Sequence, residues 1–208
     1  MKKQTMVIIL VLLLLIFALY WFKFRDKNTA NTTGDARQEA LTVKKHSGKF
    51  NTSVNAAMDA YFMAKDAFVE ADTTKAKASI ARFIVLLDSI PMEELRHDTL
   101  SIYESAISNL TDAKMNAESL LKQTTIKEMR QDFRGISDVL YPSFFKAINY
   151  EGRKIYLQNC PMAFGENKDA NWISSTYEVV NPYLGKHDSV YKAGMVGCGE
   201  VKDSIDAK

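Results

Sequence analysis

The sequence predicts a mainly α fold: an up-and-down four-helix bundle with a small irregular C-terminal lobe containing short strands, preceded by one N-terminal transmembrane helix. Three observations carry this. Apolar residues recur at three- and four-residue steps from about Thr52 to Phe144. An unbroken apolar run fills Met6–Phe22. After Tyr150 the chain turns glycine-rich, with Gly152, Gly165, Gly185, Gly194, Gly197 and Gly199 joined by Pro161 and Pro182. The expected organisation is a signal-anchor over 1–27, a flexible spacer over 28–50, the bundle over 51–149 and a lobe over 150–208, packed on the bundle.

As a helix, Met6–Phe22 reaches about 26 Å, near the lower limit for crossing a hydrocarbon core. Its bulky end, Tyr20-Trp21-Phe22, resembles an interfacial aromatic belt. Lys23-Phe24-Arg25 follows in place of the small residues of a cleavage site, and no cysteine there offers lipid attachment, so an uncleaved signal-anchor is expected. Lys2 and Lys3 favour a cytoplasmic N-terminus, while Lys23, Arg25 and Lys27 oppose them across the membrane. The short N-terminal tail favours export of the large domain, which gives a single-pass inner-membrane protein with its soluble part in the periplasm.

Asn28 to about Lys49 is polar, small and without hydrophobic pattern, hence a spacer. The first helix is expected from about Thr52 to Ala71, with Val54, Ala57, Met58, Tyr61, Phe62, Phe68 and Val69 on one stripe. Asp72-Thr73-Thr74 supplies an N-cap region for the second, which buries Ala76, Ile80, Phe83, Ile84 and Leu87. Pro91 suits the first turn of the third, whose inner side is Leu95, Ile102, Ala106, Leu110 and Leu121. The fourth starts near Thr124-Thr125 and carries Ile126, Met129, Phe133, Ile136, Val139, Leu140 and Phe144. Each helix has one apolar side and one solvated side, and the connections are short, as in antiparallel neighbours.

In the lobe, Arg153–Gln158 is expected as a strand with Ile155 and Leu157 on one face, and Trp172-Ile173 and Glu178–Val180 as short extended pieces. Phe164, Trp172, Tyr177 and Tyr183 supply apolar area, so this stretch is expected to fold.

Charge excludes one class of partner. The whole chain is formally +2, but residues 1–27 hold Lys2, Lys3, Lys23, Arg25 and Lys27 against Asp26 alone. The remainder is therefore slightly acidic, without the basic face that nucleic acid requires.

The concentrated chemistry is sulfur. Both cysteines lie in the lobe, each near a methionine: Cys160-Pro161-Met162 and Met195-Val196-Gly197-Cys198. Thiolate and thioether sulfur are soft ligands that select Cu(I) over hard cations. On an extended segment Cys160 and Met162 would point the same way. Glycines 194, 197 and 199 would let the second loop approach the first, and His187 could add a nitrogen. The alternative is a Cys160–Cys198 disulfide closing a loop of about 38 residues, which adds ~3–4 kcal/mol through the unfolded state, with Met162 and Met195 as core filler. Spacing leaves both readings open.

Residues 150–205 resemble the C-terminal motif of a Bacteroidota family of exported domains of unknown function, often fused to periplasmic adaptor subunits of copper/silver efflux systems. The matching elements are Tyr156–Phe164, Asn171-Trp172-Ile173-Ser174, Asn181-Pro182-Tyr183-Leu184-Gly185 and Met195–Glu200. The resemblance implies copper handling, places the family's Cys-Pro-Met and Met-x-x-Cys ligands on Cys160, Met162, Met195 and Cys198, and makes a periplasmic efflux component the expected partner. Asn159 stands where members often carry histidine, and the stretch from Gly185 to Met195 follows the longer family spacing, with His187 inside it.

His46 and His97 belong to no zinc-hydrolase pattern and read as surface residues. Cys160 has no local base to activate it, and no phosphate loop or dinucleotide fingerprint appears. The chain is not expected to be an enzyme.

Overall fold

A computed structural model describes residues 46–97 and 100–208. The fold is mainly helical, with a small sheet at the C-terminus. The helices are α1 (Gly48–Val69), α2 (Thr73–Asp88), α3 (Leu100–Lys122), α4 (Ile126–Val139) and the short α5 (Phe145–Ala147). Among the described residues no helix is long and apolar enough to cross a membrane; the run Met6–Phe22 and most of the spacer lie outside them.

Local chemistry sets the helix ends. Ser47 caps α1 by accepting from the Phe50 N–H at 3.1 Å, so the helix starts before the expected Thr52. Asp72 caps α2 through the Lys75 N–H at 2.8 Å. Thr125 and Glu128 form a reciprocal capping box at α4, where the sequence placed its start.

Two helix boundaries differ from expectation. Pro91 opens not the third α-helix but a 3₁₀ turn, Met92–His97, which buries Met92 and Leu95 before α3 begins at Leu100. The fourth helix does not run unbroken to Phe144. Pro142 has no N–H to give, and α4 passes at Val139 into a wide turn, Leu140–Phe144, with Tyr141 in extended geometry and a cis Tyr141–Pro142 bond.

Consecutive helices pack side by side. The seam between α1 and α4 is filled by rings: Tyr61 stacks on Phe133 with centroids 4.8 Å apart, and Phe68 lies 5.1 Å from Phe133. Arg130 on α4 donates to the Phe68 carbonyl at 2.8 Å, alongside the Ala71 N–H, in the last turn of α1.

The lobe is a three-stranded antiparallel sheet of β1 (Ile155–Cys160), β2 (Ala170–Ser174) and β3 (Glu200–Ile205), in the order β2-β1-β3. The strand at β1 and the extended Trp172-Ile173 were legible; β3 was not expected, and Glu178–Val180 forms no strand. Instead Gln158, fully buried, donates its side-chain amide towards the carbonyls of Thr176, Tyr177 and Glu178 at 3.1–3.2 Å and gathers that loop. Leu157 is half-buried rather than inward, because the β1–β3 register shifts between Leu157 and Gln158.

One hydrophobic core joins helices and sheet. The Tyr61 hydroxyl accepts from the Ile173 N–H of β2 at 3.0 Å and lies 2.6 Å from Ser137 Oγ on α4. Tyr183 packs on both Phe133 and Trp172. His46 is not an ordinary spacer residue: its ring stacks on Phe50 and hydrogen-bonds the Ile148 carbonyl. His97 is exposed, as expected.

Candidate functional site

The β1–β3 ladder pairs Asn159 with Glu200. Continuing that antiparallel register by one step sets Cys160 against Gly199 and brings Cys198 to the end of β1. Gly199 makes the approach possible. Its φ is +141°, and a Cβ there would stand 2.7 Å from the Asn159 carbonyl and 2.9 Å from the Trp172 ring.

Asn181, fully buried, fixes the loop from the other side. Its backbone N–H donates to Val196 O at 2.7 Å and its side-chain amide to Cys198 O at 2.8 Å. Its side-chain oxygen accepts from the Tyr183 and Leu184 N–H groups at 2.8 and 3.1 Å. The segment Met195–Cys198 closes on itself through Cys198 N–H to Met195 O at 2.9 Å.

The two cysteines are both free thiols, Cys160 buried and Cys198 half-buried. Their thiols are neighbours at the end of β1. Burial pushes the Cys198 thiol from 9.0 up to about 12, and the Cys160 thiol beside it adds to the rise. Cys160 is the last residue of β1, so Met162 follows it in a turn and not on an extended segment as expected. Met162 and Met195 are partly buried and pack, with Cys198, against the common core. The sequence-expected sulfur residues are thus divided into a thiol pair in contact and two thioethers in the flanking turns.

His187 is exposed, with Nε2 3.9 Å from a Glu70 carboxylate oxygen. It borders a cleft shared with Met162 but with neither cysteine. Among the described residues, no three His, Cys, Asp or Glu side chains gather as metal ligands, so His187 does not complete a triad with the two thiols. Asn159 donates to Asp169 and Asn171 at 3.1 and 2.8 Å and is committed to holding β2. Asn181 and Gln158 had gone unrecognised as site-building residues. Their only sequence signal was a polar residue beside Pro182, for Asn181, or inside a strand, for Gln158.

A family model decides what the helical part is similar to. A family described as a protein of unknown function (DUF3347) matches residues 57–149. That stretch runs from within α1 to just past α5 and stops before β1, so the DUF3347 match falls on the helices while both cysteines lie beyond it. No curated protein and no solved structure matches the chain.

The raised thiol has a consequence for stability. Unfolded, Cys198 ionises near 9.0; folded, it holds its proton to about 12. Between those values the folded state binds more protons, so stability is complete below pH 9 and falls as the pH rises. The buried hydroxyl of Tyr150, raised from 10.0 to about 12, adds to the loss one pH unit later. Denaturation curves taken between pH 7 and 11 should show Cys198→Ser losing less stability than wild type from pH 9 to 10; parallel losses would contradict this.

Proposed function

We propose that this chain is a membrane-tethered periplasmic protein that binds a soft monovalent ion, Cu(I) or Ag(I), as cargo and passes it to an efflux component. The observation that carries the reading is the Cys160–Cys198 thiol pair, held face to face at the end of β1. Two sulfurs suffice for Cu(I), which accepts low coordination numbers and prefers soft donors. Met162 and Met195, in the adjoining turns, are the proposed thioether partners; His187, beside Glu70, is left out of the set. The resemblance of residues 150–205 to exported domains associated with copper/silver efflux supports the cargo. The run Met6–Phe22 supports the tether to the inner membrane.

Binding would displace thiol protons into solvent as the metal–sulfur bonds form. Because Cys198 is protonated at neutral pH, its proton alone should cost about a tenfold loss of apparent affinity per pH unit on acidification. The test is a titration of the reduced full chain against a coloured Cu(I) chelator. Wild type should withdraw the ion, and Cys160→Ser and Cys198→Ser should each lose that ability. An unchanged chelator spectrum, or variants equal to wild type, would end the reading.

The same contact favours a second reading, in which the disulfide of an exported oxidoreductase takes two electrons and two protons from the pair, becomes a dithiol, and leaves a disulfide that locks the lobe of a helical scaffold. Thiol counting on freshly isolated, unreduced protein separates the two. No free thiols, together with no Cu(I) uptake after reduction, supports the scaffold.

A further inference from the structure

A cleft of about 430 Å³ opens between the start of α4, the turn after β1 and the loop that follows Tyr183. It holds neither cysteine, although Met162, offered above as a thioether ligand, lies on its wall. Much of its wall is apolar: Phe164 and Tyr183 pack with centroids 5.2 Å apart, and Val190 and Tyr191 stand exposed at the rim. That size and lining are those of a small-molecule site.

Arg130 lines it too, and it is the unusual feature. The side chain is more than nine-tenths buried. One guanidinium N–H is used on the Phe68 carbonyl, whereas Nε has no hydrogen-bond partner. Among the described residues Arg130 forms no ion pair. A guanidinium stays charged when buried, and a buried charge without a close counter-ion is costly. Burial lowers its pKa, and Asp188 is the neighbouring charge that opposes the shift. Yet Asp188 is already engaged, its Oδ1 accepting from the Val190 and Tyr191 N–H groups at 2.9 and 2.8 Å. Lys127 adds a second cation to the wall, so cations outnumber the single acid that lines it.

We propose that this cleft binds a monocarboxylate bearing an apolar tail, with the carboxylate drawn to Arg130 and Lys127 and the tail lying along Phe164, Tyr183, Val190 and Tyr191. A carboxylate is the charge complement of a guanidinium, and the apolar wall favours a hydrocarbon tail over a bare or sugar-bearing phosphate.

Two chemical sources fit, an acyl chain and the free end of a peptide. Calorimetric titration of the full chain with octanoate, N-acetylphenylalanine, octanol and inorganic phosphate tests the proposal and names the source by which carboxylate binds tighter. Octanol and phosphate should each bind at least ~10-fold more weakly than the better carboxylate, since each lacks one half of the recognition. Arg130→Gln should abolish carboxylate binding. Should that variant fail to fold, two substitutions at the exposed rim decide. Val190→Glu should weaken binding by ~10-fold or more through repulsion, while Val190→Lys should leave it equal or tighter. Octanol or phosphate binding as tightly as the carboxylates, no carboxylate binding, or indifference to both Val190 substitutions would each overturn the proposal.

Discussion

Phe133→Ala should lower the stability of the folded chain by about 3–5 kcal/mol, the range for emptying a large aromatic site in a packed core. Phe133 has no exposed surface and lies at the junction of three structural units. It meets Tyr61 and Phe68 of α1 and Tyr183 of the lobe, with centroid distances of 4.8, 5.1 and 6.3 Å. Those neighbours are themselves held by hydrogen bonds, Tyr61 to Ser137 and Ile173 and Tyr183 to the Asn171 carbonyl, so they cannot collapse freely into the void. The loss therefore belongs at the upper part of the range, and it should uncouple the lobe as well as the helices. Urea denaturation checks the first point. Faster amide exchange at Ile173, beyond that explained by global destabilisation, checks the second. Phe133→Leu, which keeps most of the volume, should cost about 1–2 kcal/mol.

Gly199→Ala should be nearly as damaging, whereas Gly197→Ala should do almost nothing. At Gly199 the added methyl would stand 2.7 Å from a backbone oxygen that cannot swing away, and the φ of +141° is unfavourable to any L side chain. Backbone strain and overpacking together place the cost at about 2–5 kcal/mol. At Gly197 a Cβ meets nothing within 4 Å, so the change should stay within about 0.5 kcal/mol. The sharper readout is chemical. By moving the loop away from β1, Gly199→Ala should abolish formation of a Cys160–Cys198 crosslink under mild oxidation, which Gly197→Ala should leave intact. Equal crosslinking in both variants would show that the thiols meet without the close approach at Gly199.

These two positions also mark how much could be read in advance. The helical stripes were legible because periodicity is a local property: Val54, Ala57, Met58, Tyr61 and Phe62 are buried as their spacing required. So were the cap at Asp72 and the helix start at Thr125, which depend on residues three positions apart. The break at Tyr141-Pro142 was signalled by the proline but masked by the apolar pattern running through it. In the lobe, β3 escaped notice because it is a largely exposed edge strand, Glu-Val-Lys-Asp-Ser-Ile, whose existence depends on β1 offering it a partner. Glycines 194, 197 and 199 carried identical sequence weight; only Gly199 is sterically required.

The sequence by itself determined the helical body, its buried faces and the pairing of each cysteine with a nearby methionine, since all of these are written within a few turns or a few residues of chain. The tertiary structure alone decided that Cys160 and Cys198 face each other, that His187 is drawn to Glu70, and that Arg130 is buried at a cleft. Those outcomes depend on contacts between segments tens of residues apart, where strand register, one glycine and the hydrogen bonds of Asn181 settle which side chains meet.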